Sequence, residues 1–212
     1  MAAEQHAPTG LNVGDRLHLG LASRTLEGRN KILGFWFFLG GESVLFASLF
    51  ATFLVLRHQT GDGPKPEELF GYGLVFVLTF LLITSSLTSI FAVNAMERGN
   101  ARVTAGWLGV TIALGLGFLL LQIYEFYHYV HEGLGYTTSA FASSFYTLVG
   151  FHGFHVAFGL CWLTAVTVQV VQNGVNVVNA PKIFISTLYW HFVDVVWMFI
   201  FTVVYLMGSL GV

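Results

Sequence analysis

The sequence predicts an all-α membrane protein, a bundle of five transmembrane helices, and three observations carry that prediction. Of 212 residues, 55% are hydrophobic and only 9% are charged, whereas soluble domains carry roughly 25% charged residues. The mean hydropathy is +0.72, and the charges that exist are gathered between long charge-poor stretches. Those stretches show no alternation of polar and apolar residues, which a membrane β-barrel would need. An ordinary cytosolic enzyme and a disordered tail are thereby excluded. A net charge of −2 offers no basic surface for nucleic acid. The single Cys161 excludes a disulfide scaffold and a thiolate zinc site.

Residues 1–30 are polar and of mixed charge, with Glu4, Asp15 and Glu27 among basic residues. They lack an apolar core followed by a small-residue cleavage site, so they are expected to form a cytoplasmic surface segment rather than a signal peptide. Residues 31–212 are expected to form one transmembrane domain. A bilayer core of about 30 Å requires about 20 apolar residues per helix, which sets the spans. The first covers 32–57, with Glu42 as its only internal carboxylate; the second, 70–96, and the third, 103–130, follow across a short polar turn. The stretch from Gly133 to Pro181 lacks Asp, Glu, Lys and Arg but is too long for one span. Its ends, 133–139 and 172–181, are rich in Gly, Asn, Ser and Thr and read as turns, leaving the fourth span at 142–172. The fifth, 184–209, holds only Asp194.

Basic residues orient the chain. Arg16, Arg24, Arg29 and Lys31 precede span one, Arg98 and Arg102 separate spans two and three, and Lys182 separates four and five. If spans alternate, these share one side, and only Arg57 and Lys65 lie on the other. The N-terminus is expected inside and the C-terminus outside.

Within lipid, helices associate through small residues and polar groups. Span three has Ala105, Gly109, Ala113 and Gly117 at four-residue intervals; span four has Gly153, Ala157, Cys161 and Ala165; span one has Ser43, Ala47 and Ala51. Tight packing within the bundle is the expectation for these stripes, with lipid or partner-helix contact as the alternative. Trp36, Trp107, Trp190, Tyr205 and the cluster from Tyr124 to Tyr129 lie near span ends and are expected to be interface anchors.

The ionisable residues inside spans are the candidates for function, because a carboxylate at mid-membrane costs at least ~2.5–3.5 kcal/mol on insertion scales. Glu42, His152, His155, His191 and Asp194 fall near mid-span, and a cluster of Glu42, His155, His191 and Asp194 is geometrically allowed. His191 and Asp194, three residues apart, share a helix face, as do His152 and His155. Glu125, His128, His131 and Glu132 lie at the outer end of span three, where solvation at the surface is expected. For the central group the residues leave three readings open: interhelical hydrogen bonding, proton handling or lipid contact, and a metal or haem site. Glu125-x-x-His128 has the spacing of carboxylate-bridged di-metal bundles, but such sites need the motif twice with further carboxylates, and here it occurs once. A free-standing metal enzyme is one competing class; a transporter is another, and it predicts repeat symmetry that the sequence lacks.

Three motifs then bring a family into view: Phe35-Trp-Phe-Phe-Leu-Gly-Gly-Glu42, Phe151-His-Gly-Phe-His-Val156 and Tyr189-Trp-His-Phe-Val-Asp-Val-Val-Trp197. In this order they resemble the signatures of haem–copper oxidase subunit III, in its five-helix bacterial form. Leu26-Glu-Gly-Arg-Asn-Lys31, Thr138-Ser-Ala-Phe-Ala-Ser143 and Asn179-Ala-Pro-Lys182 look closest to cytochrome c oxidases of the caa3 kind; the quinol oxidases share most of the remaining pattern. The resemblance implies a multi-pass plasma-membrane subunit with no catalytic residue, metal or other cofactor of its own. Haem and copper are implied in partner subunits I and II, with a small subunit IV beside them and cytochrome c as donor to the complex. It further implies bound phospholipid, support of proton uptake and protection of the catalytic subunit, and it matches Glu42 to the family's buried carbodiimide-reactive carboxyl. In the five-helix form one wall of the family's lipid cleft is absent, so a neighbouring subunit would supply it.

Overall fold

The computed structural model describes residues 20–61 and 72–209. Among these, every regular element is helical. Five helices are long and apolar enough to cross a membrane: α1 (Leu26–Leu56), α2 (Tyr72–Glu97), α3 (Ala101–His131), α4 (Ala140–Asn173) and α5 (Ala180–Ile200). A π-helical turn, Phe201–Leu206, extends α5, and a short 3₁₀ turn, Leu21–Ser23, precedes α1. Residues 1–19 of the N-terminal segment lie outside the described residues.

Capping residues explain where the helices begin. Thr25 accepts from the Gly28 N–H at 3.0 Å, so α1 starts six residues before the apolar stretch does. Asn100 and Ser139 cap α3 and α4 in the same way, accepting from Val103 and Ala142; each satisfies a donor that the first helical turn leaves open. Pro181 occupies the first turn of α5, where its missing N–H has no cost. Gly99, Gly133 and Gly174 hold positive φ at the breaks between helices. The α4–α5 turn is knitted by its asparagines: Asn179 Nδ2 donates to the Gly174 carbonyl, and Asn176 Oδ1 accepts from the N–H groups of Val178 and Asn179.

α3 packs between α2 and α4, while α5 is gripped by α1, α2 and α4 and is the most deeply buried helix. Trp190 and Trp197 on α5 are fully buried and donate to α2, Trp190 Nε1 to Ser85 Oγ at 2.9 Å and Trp197 Nε1 to Thr79 Oγ1 at 3.1 Å. Thr88 and Thr111 join α2 to α3 at 2.8 Å. The N-terminal turn is fastened by Glu97, whose Oε2 accepts from the Leu21 N–H at 2.6 Å.

Two expectations about packing are corrected. The small-residue stripes face the bundle only in part: Gly109, Ala113, Cys161, Ala165, Ser43, Ala47 and Ala51 are exposed, while Ala105, Gly117, Gly153 and Ala157 are half-buried. Close approach occurs instead at Gly115 and Gly159, which flank the Trp190 indole. A Cβ on Gly115 would come within 2.6 Å of the indole, and one on Gly159 within 3.1 Å. The stripes followed a four-residue repeat, but the true contact is set by one bulky ring rather than by a line of small residues. The aromatic expectation also divides. Trp36, Tyr124 and Tyr127 are exposed, whereas Trp190, Tyr129 and Tyr205 are buried, each with a hydrogen-bond partner inside the bundle.

Candidate functional site: buried polar groups between the helices

The five mid-span candidates do not form one cluster. Glu42 on α1 reaches His155 on α4, with Oε2 and Nε2 3.1 Å apart. The other imidazole nitrogen, Nδ1, lies 2.8 Å from the Phe151 carbonyl. A carbonyl only accepts, so Nδ1 carries a proton. One further proton then sits between Nε2 and Oε2, on the carboxyl or on the ring, and in either arrangement the pair has no net charge. Phe46 and Phe151 pack on the imidazole at centroid distances of 5.0 and 4.9 Å. The Tyr189 hydroxyl donates to the His155 carbonyl at 3.2 Å.

His191 faces α2, not this pair. Its Nδ1 lies 2.7 Å from Ser86 Oγ and its Nε2 3.3 Å from Ser89 Oγ. Ser89 gives its own proton to the Ser86 carbonyl, so its oxygen accepts from Nε2–H. In the neutral ring Nδ1 is then the acceptor of the Ser86 hydroxyl proton. Asp194, one turn further along α5, is 9% exposed, and neither carboxyl oxygen has a hydrogen-bond partner. His152 is fully buried with both ring nitrogens unpartnered; it lies against Phe118 and Trp197 at 6.0 and 5.5 Å. The expected grouping of Glu42, His155, His191 and Asp194 thus resolves into a bridge, a serine-held imidazole and a lone carboxyl. Shared depth along the bilayer normal did not mean a shared interface, because α4 and α2 lie against different faces of α5.

The outer group is corrected as well. His128, His131 and Glu132 are exposed, but Glu125 is wholly buried. Its Oε2 accepts from Gln122 Nε2 at 2.6 Å and from the Tyr205 hydroxyl at 2.7 Å, and its Oε1 accepts from the Tyr129 hydroxyl at 3.0 Å. Phe145 covers both tyrosines, at 5.9 and 6.1 Å. Gln122, Tyr129 and Tyr205 are therefore polar residues that sequence reasoning missed. Gln122, Glu125 and Tyr129 stand three and four apart, on one helix face, and that spacing was the available signal. Tyr205 gave none, since the π turn that brings it inward is invisible in composition.

Among the described residues no group of three or more His, Cys, Asp or Glu side chains is placed to hold a metal ion. The arrangement can carry a proton at Glu42–His155 and can hold helices in register through Glu125 and the α2 hydroxyls.

Comparison with known proteins agrees with the helix count and the motifs. Residues 24–209 match the family model described as cytochrome c oxidase subunit III. Cytochrome c oxidase subunit 3 of Bacillus sp. (strain PS3) is 60% identical over 187 residues, covering 88% of this chain and 90% of that one. The protein of the same name from Bacillus subtilis (strain 168) is 58% identical, covering 88% and 91%. Quinol oxidase subunit 3 of Bacillus subtilis (strain 168) is 53% identical, covering 87% and 90%.

Proposed function

The chain belongs to the cytochrome c oxidase subunit III family, and from that membership we propose that it serves a cytochrome c oxidase of the aa3/caa3 type. It is a subunit III of the haem–copper oxidases, a multi-pass protein of the bacterial plasma membrane and part of an oxidoreductase complex with other oxidase subunits. In the proposed complex, subunits I and II hold haem and copper and a small subunit IV completes the assembly. This chain acts without a redox centre, supporting proton uptake and the stability of the catalytic subunit while O2 is reduced to water.

The observation that carries the choice of donor is the identity gradient: 60% and 58% to two cytochrome c oxidase subunits against 53% to a quinol oxidase subunit. The proposed topology, with residues 1–30 on the cytoplasmic side, is supported by the basic residues at 16–31, 98–102 and 182 and by an odd number of spans. The Glu42–His155 bridge is the proposed proton-related element, since it joins a carboxyl and an imidazole by a hydrogen bond across two helices. Purification of the oxidase through a tag on this chain, followed by parallel assays with reduced cytochrome c and with a quinol, tests the donor. Rapid O2 consumption with cytochrome c and none with quinol is expected; the reverse assigns the quinol branch.

A further inference from the structure

Ser86 differs from the hydroxyls around it. Thr84, Ser85, Thr88 and Ser89 each give a proton to a carbonyl of the preceding turn of α2. Ser86 Oγ turns instead to α5 and meets His191 Nδ1 at 2.7 Å. The Asp194 carboxyl, one turn further along α5, lies beside the same hydroxyl. Ser86 therefore stands between an imidazole and a carboxyl. All three line a groove of about 300 Å³ between α2 and α5, which leaves the side chains room to turn toward one another.

The protons of this group have one consistent arrangement. The Ser89 proton is committed to the Ser86 carbonyl, so Ser89 Oγ takes the Nε2–H of His191 at 3.3 Å. Nδ1 of the neutral ring then accepts the Ser86 hydroxyl proton. Neither Asp194 oxygen accepts a hydrogen bond, and a carboxylate left so at mid-span is costly. A carboxylic acid has a proton of its own to give, and Ser86 Oγ has a second lone pair to take it. The bonds then run one way, from Asp194 to Ser86, to His191, to Ser89 and to the backbone. Hydrogen bonds aligned head to tail polarise and strengthen one another.

Few other titratable groups face this unit. No Lys, Arg or Glu lines the groove between α2 and α5. The groove between α1 and α5, which His191 also lines, contributes the Ser43 hydroxyl, and that is held by the Leu39 carbonyl. On α4, His155 is paired with Glu42, and His152 makes no hydrogen bond to the unit.

We propose that Asp194, Ser86 and His191 form a second proton-holding unit, separate from the Glu42–His155 bridge, in which one proton resides on the carboxyl and reaches the imidazole through the serine hydroxyl. In the transfer the Asp194 O–H bond breaks as a new O–H bond forms on Ser86 Oγ, and the former Ser86 O–H bond breaks as Nδ1–H forms. A neutral acid and a neutral ring become a carboxylate and an imidazolium, with the Ser86 hydroxyl now pointing at Asp194. The unit gains no net charge. Its last acceptor, the Ser86 carbonyl, cannot pass a proton on, so the unit stores a proton rather than conducting one across the membrane.

The test is infrared absorption of the purified, intact oxidase complex, compared between wild type and variants of this chain. Asp194→Asn is expected to remove one C=O band of a protonated carboxyl and no carboxylate band. Ser86→Ala is expected to shift that band to higher frequency, since the acid loses its acceptor. Ser86→Thr, which keeps the hydroxyl, is expected to restore the band's position, whereas a role in packing alone would leave it in place throughout. Loss of a carboxylate band in Asp194→Asn overturns the proposal, as does a band that stays unmoved in Ser86→Ala. If Asp194→Asn does not accumulate, the difference spectra of the two Ser86 variants decide.

Discussion

Glu42 and His155, 113 residues apart in sequence, share one proton across a 3.1 Å contact between α1 and α4. The Phe151 carbonyl fixes this outcome by occupying Nδ1, so the carboxyl sees only Nε2. Because the pair is neutral as a unit, it avoids the penalty of a net charge among Phe46, Phe151 and Phe154, whose rings surround the imidazole.

A double-mutant cycle measures that link. Glu42→Ala and His155→Ala are expected to show a coupling of about 0.6–1.7 kcal/mol in unfolding assays, the range found for hydrogen bonds between membrane helices. Glu42→Gln retains a donor toward a neutral Nε2 and is expected to stay close to wild type. Equal losses for Gln and Ala would show that charge, not the shared proton, holds the helices.

At Gly115 even one methyl group is too many. Gly115→Ala places a carbon within 2.6 Å of the Trp190 ring and 2.9 Å of Leu160, and overpacking of this kind costs about 1–3 kcal/mol. Gly109→Ala, on the same helix but facing open space, is expected to stay within about 0.5 kcal/mol. Thermal unfolding of the two variants side by side distinguishes a packed face from a bare one.

Removing one hydroxyl should loosen the bundle at the C-terminal end of α3. Tyr205→Phe takes away the 2.7 Å bond to Glu125 and is expected to cost about 1–3 kcal/mol, the penalty for leaving a buried polar group without its partner. His131→Ala, at the exposed C-terminal end of α3, is the control and is expected to be silent. Hydrogen exchange of the amides in 201–206 should accelerate in Tyr205→Phe alone.

The hydroxyls of α2 supply the acceptors for both buried indoles of α5. Ser85→Ala leaves the Trp190 N–H without an acceptor, and Thr79→Val does the same to Trp197. Each is expected to destabilise by about 1–3 kcal/mol, with near-additive effects because the two contacts are separate. Strong non-additivity would mean that the indoles move together.

The five helices were readable because lipid imposes a length and an apolar composition that few residues violate. The helix ends were readable in part, through Thr25, Asn100, Ser139 and Pro181. Facing was the harder matter. A four-residue repeat identified Gly117 but not Gly115, although only Gly115 lies against Trp190, because periodicity defines a face without saying which neighbour it meets. Depth likewise placed Asp194 beside Glu42 along the bilayer normal, while the packing put them on different sides of α5. Glu125 reads as solvated because it lies at the end of span three; the partner that draws it inward, Tyr205, is 80 residues away.

The π turn at Phe201–Leu206 makes the far end of α5 sensitive to length rather than to composition. Its hydrogen bonds close on the fifth residue instead of the fourth, so the segment holds a residue that a regular helix of the same rise would not accommodate. Winding the same residues as an ordinary α-helix would swing Tyr205 off the bearing that meets Glu125. The apolar character of the span would be untouched. The closure of that end of the bundle is in this sense a matter of phase, and a change too small for a hydropathy profile to register would unlatch it.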